Sequence, residues 1–251
     1  MQPYEASLGL QLKGLRLAAF NLHWKASTET AISNQWAYGQ YLSHLCQLET
    51  QRRGENRLKR RLKESGLPMN KTLSGFNFQA NKQINAAQIN ALAETDSWIK
   101  QANNLILFGP SGVGKTHIAA AIAYRQIELG NSVRFFQTSH LVQLLQQSKV
   151  QFRLKEKLVK LDRIPLIILD DFGYVKKDEH ETGVLFELIS HRYETGSLII
   201  TANQPFSQWD TIFPDNMMAV ASVDRIVHHA TIINIEGGSY RTKDKKQQKK
   251  A

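Results

Sequence analysis

Eight consecutive residues, Gly109-Pro110-Ser111-Gly112-Val113-Gly114-Lys115-Thr116, fit the pattern GxxxxGK[ST] in full. An apolar run, Leu105–Phe108, precedes them, and a helical run from His117 to Glu128 follows. In that strand–loop–helix setting the pattern cradles phosphate. Glycines let successive backbone N–H groups converge on phosphate oxygens, and the start of the helix adds positive dipole. Gly109 through His117 are therefore the candidate nucleotide-binding stretch. Lys115 would reach the β- and γ-phosphates, and the Thr116 hydroxyl would ligate Mg2+.

A second set of residues completes a hydrolytic engine. Leu166-Ile-Ile-Leu-Asp170-Asp171 reads as a buried strand ending in two carboxylates, beginning about 50 residues after Lys115. With a phosphate loop upstream, Asp170 is assigned to Mg2+ and Asp171 to the attacking water. Glu is usual at the second place, and Asp is one methylene shorter, which predicts slow turnover or geometry tightened by a neighbouring subunit. A further strand, Leu198-Ile-Ile-Thr-Ala-Asn203, ends in an amide able to hydrogen-bond the same water and sense the γ-phosphate. Asn after a strand is otherwise a common turn residue. Arg225 follows Asp224 on a late helix just before the last strand. In an oligomeric ATPase an arginine so placed acts on a neighbour's γ-phosphate. Arg192, late on the preceding long helix, is the reserve candidate for an intersubunit contact. His228-His229 are not read as ligands, because no Cys or carboxylate cluster accompanies them in the sequence.

These residues need a scaffold. From Asn103 onward, short apolar runs (Leu105–Phe108, Val133–Phe136, Leu166–Asp170, Leu198–Thr201, Ile232–Ile235) alternate with helical stretches near 115–129, 139–148, 151–161, 180–195 and 215–229. Alternation of this kind implies βαβ units and a parallel sheet covered on both faces, an α/β fold. Residues 1 to about 65 look helical, with Leu8, Leu12, Leu15 and Ala19, then Tyr38, Tyr41, Leu45 and Leu48, at three- and four-residue spacing. Residues 70–100 form a connector with one helix near 85–94.

Composition narrows the partners. The 251 residues carry 32 Lys+Arg against 22 Asp+Glu, a formal charge of +10. Residues 52–64 contribute net +5 and residues 241–251 another +5, so the remaining chain is formally neutral. A concentrated basic excess points to a polyanion, nucleic acid first. Arg53, Arg57, Arg60 and Arg61 fall at i, i+4, i+7 and i+8, one face of a helix able to neutralise phosphates without reading sequence. A second basic patch, Lys149, Arg153, Lys155, Lys157 and Lys160, lies between the second and third strands. The single cysteine, Cys46, excludes an intrachain disulfide and a Cys-based zinc cage. No secretory signal is visible and the apolar runs are too short to span a bilayer, so a cytoplasmic protein is expected, with no membrane partner.

Taken together, these residues resemble an AAA+ ATPase of the helicase-loader and transposition-helper branch, and most closely the IstB-like family. The resemblance covers nearly the whole chain. It is carried by Arg57-Leu-Lys-Arg-Arg-Leu-Lys-Glu-Ser-Gly-Leu-Pro68, Lys71-Thr-Leu, Phe76-Asn-Phe78, the Gly109–Thr116 loop and Leu169-Asp-Asp-Phe-Gly173. Further on it is carried by Arg192-Tyr-Glu, Thr201-Ala-Asn-Gln-Pro-Phe-Ser-Gln-Trp209, Asp224-Arg-Ile-Val-His-His-Ala230 and Gly238-Ser-Tyr-Arg241. It implies a five-stranded parallel sheet in order 5-1-4-3-2 behind a small helical domain, with the usual helical lid absent or truncated and Arg241 as a partial substitute for a lid arginine. It also implies ATP hydrolysis with Mg2+, assembly of many copies on duplex DNA, bending of that DNA and its presentation to a transposase. In loader-type relatives an insertion at 149–160 tracks DNA.

The expected organisation is a helical DNA- or partner-binding domain (1–68), a linker (69–100), the ATPase domain (101–240) and a basic disordered tail (241–251). Two other functions fit the same residues. One is a loader gripping a replicative helicase through the helical N-terminus. The other is a DNA-binding scaffold gated by nucleotide with little turnover. A P-loop kinase of a small molecule leaves Asn203 and Arg225 without use.

Overall fold

The computed structural model describes residues 3–81, 83–173, 179–204, 209 and 216–238. The chain divides into two compact units, 1–60 and 61–251. The predicted basic tail at 241–251, and Arg241 with it, lie outside the described residues.

The first unit is built from helices α1 (Pro3–Gly14), α2 (Ala18–Ser33) and the start of α3 (Tyr38–Ser65). Among its described residues only Leu12, Ala19 and Leu45 are buried apolar side chains, whereas Leu10, Leu15, Leu22, Ile32, Tyr38 and Leu42 are exposed. A buried carboxylate helps hold it together. Glu49 accepts the Ala19 amide at 2.7 Å in the first turn of α2 and the Arg53 Nε at 2.7 Å. Arg53 also donates to the Arg16 carbonyl at 3.1 Å. Burial pushes the Glu49 carboxyl up, but the Arg53 and Ala19 hydrogen bonds outweigh it and hold the group below its ordinary value.

The second unit is an α/β layer structure. Its strands are β1 (Asn104–Phe108), β2 (Val133–Gln137), β3 (Leu166–Phe172), β4 (Ser197–Ala202) and β5 (Ala230–Asn234). All neighbours run parallel, in the order β2-β3-β4-β1-β5, the expected 5-1-4-3-2 read from the other edge. Strands β1, β3 and β4 are buried almost throughout, as central strands of a doubly covered sheet must be. Around them lie α4 (Ala86–Glu94), α5 (Ser97–Lys100), α6 (Lys115–Glu128), α7 (Thr138–Val150), α8 (Leu154–Asp162), α9 (Glu179–Arg192) and α10 (Asn216–Val227). The short α5 and a 3-10 turn at Phe78–Ala80 leave no periodic signal in the sequence, being about one turn each.

Three polar side chains fix this frame where apolar packing cannot. Asn104 donates to the Ile226 carbonyl at 2.9 Å and accepts the Leu198 amide at 2.9 Å, joining the end of α10 and the start of β4 to the start of β1. Gln126 donates to carbonyls of Leu92, Ala93 and Thr95, fastening α6 to the end of α4. Arg192 is the third; held in reserve as an intersubunit contact by the sequence, it is instead buried within its own chain. It is 1% exposed and donates to the carbonyls of Leu161, Pro165 and Ser197 at 3.1, 3.0 and 2.9 Å. Burial lowers its pKa to about 10, with the nearby Asp162 charge opposing. A Cβ at Gly196 would strike the same guanidinium, so that position must stay bare.

Candidate nucleotide site

The phosphate loop leaves the end of β1 at Gly109, whose N–H donates to the Ala202 carbonyl at 3.2 Å. Gly109, Gly112 and Gly114 have φ of 145°, 84° and 105°, in the region that L side chains avoid. At Gly109 a Cβ would also run into the Ile235 carbonyl oxygen, just past the end of β5. The pattern glycines are thus required by both backbone angle and space. Gly114 caps α6 at its N-terminus, which aims the first N–H groups of that helix into the loop.

Lys115 is 7% exposed, and its Nζ donates to the Gly109 and Pro110 carbonyls at 2.7 and 2.9 Å. The ammonium is therefore held over the loop's own carbonyl oxygens. Thr116 Oγ1 donates to Asp170 Oδ1 at 2.9 Å, joining the two candidate Mg2+ ligands across 54 residues of chain. Both offer hard oxygen atoms, the donor chemistry that Mg2+ selects.

Two threonines to which the sequence reading gave no role shape the carboxylate pair. Register between β3 and β4 runs Leu169↔Ile200 and then Phe172↔Ala202, so Asp170 and Asp171 together face Thr201. Such a bulge re-aims side chains at a strand end. Thr201 Oγ1 donates to Asp170 Oδ1 at 2.6 Å and accepts the Asp171 amide at 3.0 Å. Thr138 Oγ1 bonds the Asp170 carbonyl at 2.8 Å. Asp171 itself is exposed, with φ 55°. Asp170 is buried, and its pKa is raised, first by burial and also by the Asp171 charge; the Thr201 and Thr116 hydroxyls and Lys115 only partly offset this.

Asn203 stands one residue past β4, and its Oδ1 is buried with no hydrogen-bond partner among the described residues. Phe172 at the end of β3 packs on the buried Trp209, ring centroids 4.7 Å apart, and the Trp209 indole donates to the Gln204 carbonyl. This holds the chain just after Asn203.

The connector also reaches the loop, which sequence reasoning missed. Phe76 lies edge-on to Phe78 and to His117 at 4.8 and 5.1 Å between centroids, and a Cβ on Gly114 would touch the Phe76 ring. His117 Nε2 pairs with the Thr72 carbonyl at 2.9 Å. The side chain of His117 is thus engaged by the connector. The signal available was the close pair of aromatic residues, Phe76 and Phe78, in the connector.

Arg225 is not beside this loop. It sits in the last turn of α10, its Nη1 donating to the Ala221 carbonyl at 3.1 Å and its guanidinium 5.2 Å from the Phe186 ring centroid. Its helix joins the start of β1, while the phosphate loop follows the other end of that strand. Nearby, Glu194, His228 and His229 bring ligating atoms within 4.8 Å of one another, all three exposed. The carboxylate neighbour that the sequence did not reveal therefore exists in space.

The basic candidates divide by environment. Arg57 and Arg60 are exposed on α3, and Arg61 is half-buried. Arg53 is exposed but already serves Glu49 and Arg16. Lys149 pairs with Glu187 at 3.2 Å, Lys157 is half-buried, and Arg153, Lys155 and Lys160 are exposed. Among the described residues no helix is long and apolar enough to cross a membrane.

Comparison with known proteins agrees with this geometry. Residues 10–248 match the model of the IstB-like ATP binding protein family. An insertion-sequence ATP-binding protein of Sinorhizobium fredii (strain NBRC 101917 / NGR234) is 45% identical over 246 residues, spanning 98% of this chain and 83% of that protein. The insertion sequence IS21 ATP-binding protein of Pseudomonas aeruginosa is 34% identical over 240 residues, spanning 96% and 90%. Among solved structures, the DnaC helicase loader superposes with a TM-score of 0.54 at 22% identity, covering 66% of this chain and 97% of that one. AMPPCP-bound DnaA from Aquifex aeolicus superposes with a TM-score of 0.57 at 18% identity, covering 74% and 56%. At such identities the likeness is one of fold.

Proposed function

The chain belongs to the IstB-like ATP-binding proteins and is a P-loop ATPase of AAA+ fold, and from that premise we propose that it assembles on duplex DNA with ATP and assists the transposase of an insertion sequence. The observation that carries this reading is the separation of Arg225 from its own phosphate loop. The two lie at opposite ends of β1, a strand about 17 Å long at about 3.3 Å per residue. That is beyond the reach of an arginine side chain. In this reading Arg225 would serve a phosphate on another copy, and turnover would then depend on assembly.

Within one copy the residues divide the work. Lys115 exchanges the Gly109 and Pro110 carbonyls for β- and γ-phosphate oxygens, and the loop N–H groups up to His117 hold the same phosphates. Thr116 and Asp170 would hold Mg2+. When bound, Mg2+ neutralises charge on the phosphate oxygens. Asp171 accepts the proton of a water whose oxygen attacks the γ-phosphorus, and the bond to the bridging oxygen breaks to leave ADP and phosphate. The unpartnered Asn203 Oδ1 accepts that water's second hydrogen. Arg225 from the neighbouring copy stabilises the charge that develops. Arg57 and Arg60 on α3, with Arg153, Lys155 and Lys160 beyond α7, supply contacts to DNA phosphates. Relatives at up to 45% identity named for insertion sequences favour the helper over the loader.

The test is Lys115→Ala in the full chain. Sedimentation with ATP, Mg2+ and duplex DNA is expected to show large assemblies for the unaltered protein and none for the variant. Assemblies of normal size from the variant would remove the phosphate loop from the process.

A further inference from the structure

Helix α7 ends in a pair of reversed hydrogen bonds, Phe152 N–H to the Lys149 carbonyl at 3.0 Å and Arg153 N–H to the Ser148 carbonyl at 2.7 Å. This cap needs a left-handed residue, and Phe152 supplies it with φ 56°. Glycine takes that conformation without steric cost; a phenylalanine does not. The same pair of bonds closes helices at Arg16, Gln35, Ala102 and Gly130. At those ends the left-handed residue is small or polar. Phe152 alone among them is large and apolar, and it is 98% exposed.

The fold gains nothing from this ring, which is strained at its backbone and bare to water. Its surroundings indicate what does gain. Val150, two residues back, is 78% exposed. Residues 149–160 carry five basic side chains and one acidic, net +4. Arg153 and Lys155 are exposed beside the ring, while Lys149 is paired with Glu187. An exposed apolar ring followed in the chain by exposed cations is complementary to a polyanion that also offers flat apolar faces. Nucleic acid is such a partner, and apolar side chains that enter a base step are a known way of kinking a duplex.

We propose that Phe152 is a wedge that enters the base stack of duplex DNA, with Arg153 and Lys155 holding the phosphates on either side. This rests on the reading that the protein assembles on duplex DNA, and it adds a contact with bases to contacts with phosphates.

The position offers a test free of folding damage, because Phe152→Gly installs the residue the helix cap prefers. The full chain is mixed with ATP, Mg2+ and a duplex carrying 2-aminopurine. The melting temperature of Phe152→Gly is expected to equal or exceed that of the unaltered protein. Its DNA affinity is expected to fall about tenfold, the scale of losing one aromatic–base contact. The rise in 2-aminopurine fluorescence on binding is expected to vanish with it. Phe152→Trp is expected to keep both, with its indole emission quenched by the bases. The slope of log affinity against log salt should survive in Phe152→Gly and drop by about two in Arg153→Ala/Lys155→Ala.

Unchanged affinity and fluorescence in Phe152→Gly would overturn the wedge while leaving DNA binding intact. Loss of ATP-driven assembly by that variant without DNA would overturn it in favour of a contact between copies. If the unaltered protein fails to bind the duplex at all, the underlying reading fails first, and the wedge with it.

Discussion

Each unit of the molecule buries a carboxylate, and the two are pushed in opposite directions. Glu49 in the N-terminal helices receives a guanidinium and backbone amides, so it is held below its ordinary value. Asp170 in the ATPase unit receives two hydroxyls and little else to offset burial, so it is held above. The first is a saturated group whose negative charge is already used in joining helices. The second is left short of positive charge at a place where Thr116 and Lys115 also converge. The contrast separates a carboxylate whose charge is met within the fold from one whose charge is only partly offset there.

The largest expected effect follows from Asp170. Asp170→Asn keeps the shape and removes the charge, so phosphate release should fall about 100-fold or more. The same change should raise the melting temperature, because the lost charge was unfavourable in the fold. A lower melting temperature would mean that Asp170 is as structural as Glu49, and the contrast would collapse.

Glu49→Gln comes next. It should destabilise the helical unit by about 1–2 kcal/mol, through a weakened cap and a lost partner for Arg53. Hydrogen exchange should rise around Ala19 with ATP turnover per assembled copy unchanged. Loss of turnover at constant assembly would give Glu49 a role it has no geometry for.

Acid should pull the two units apart. Glu49 has a depressed folded value, so its contribution is present above its unfolded value of 4.5 and is lost as pH falls through the folded one. Asp170 has a raised folded value, so its contribution is present below its unfolded value of 3.8 and is lost as pH rises through the folded one. Descending from neutrality, hydrogen exchange near Thr201 should slow before exchange near Ala19 quickens. Parallel trends would show that the two groups have similar environments.

The smallest effect belongs to cations that touch neither carboxylate. Arg57→Ala/Arg60→Ala should leave stability within about 0.5 kcal/mol. It should reduce the salt slope of DNA affinity by about two. A slope that does not move would leave those arginines as a solvated helix face.

The phosphate loop was legible because its eight residues are contiguous and their spacing is itself the chemistry. The strand order came from a family resemblance that spans nearly the whole chain. Most of what stayed hidden lies in pairs distant along the chain, Arg53 with Glu49 four residues away being the exception. Thr201 meets Asp170 only through a bulge, and no local pattern marks a bulge. Arg192 and Arg225 look alike in sequence, yet one is buried among three carbonyls and the other lies over a phenyl ring. Arg53 carries the spacing of a phosphate-binding stripe, but its partner Glu49 takes much of its charge. Burial separates these cases, and burial belongs to the assembled fold.

One contact ties the ends of the engine together. Gly109 has no room for a side chain because the Ile235 carbonyl lies against it, and Ile235 N–H in turn donates to the Phe108 carbonyl at 2.8 Å. In mechanical terms β5 is a short stiff rod clamped at one end to the phosphate loop. Its other end follows the helix turn that carries Arg225. Ten residues of chain therefore connect Arg225 with Ile235, which lies against the phosphate loop. A displacement of either has little slack to disappear into before it meets the other.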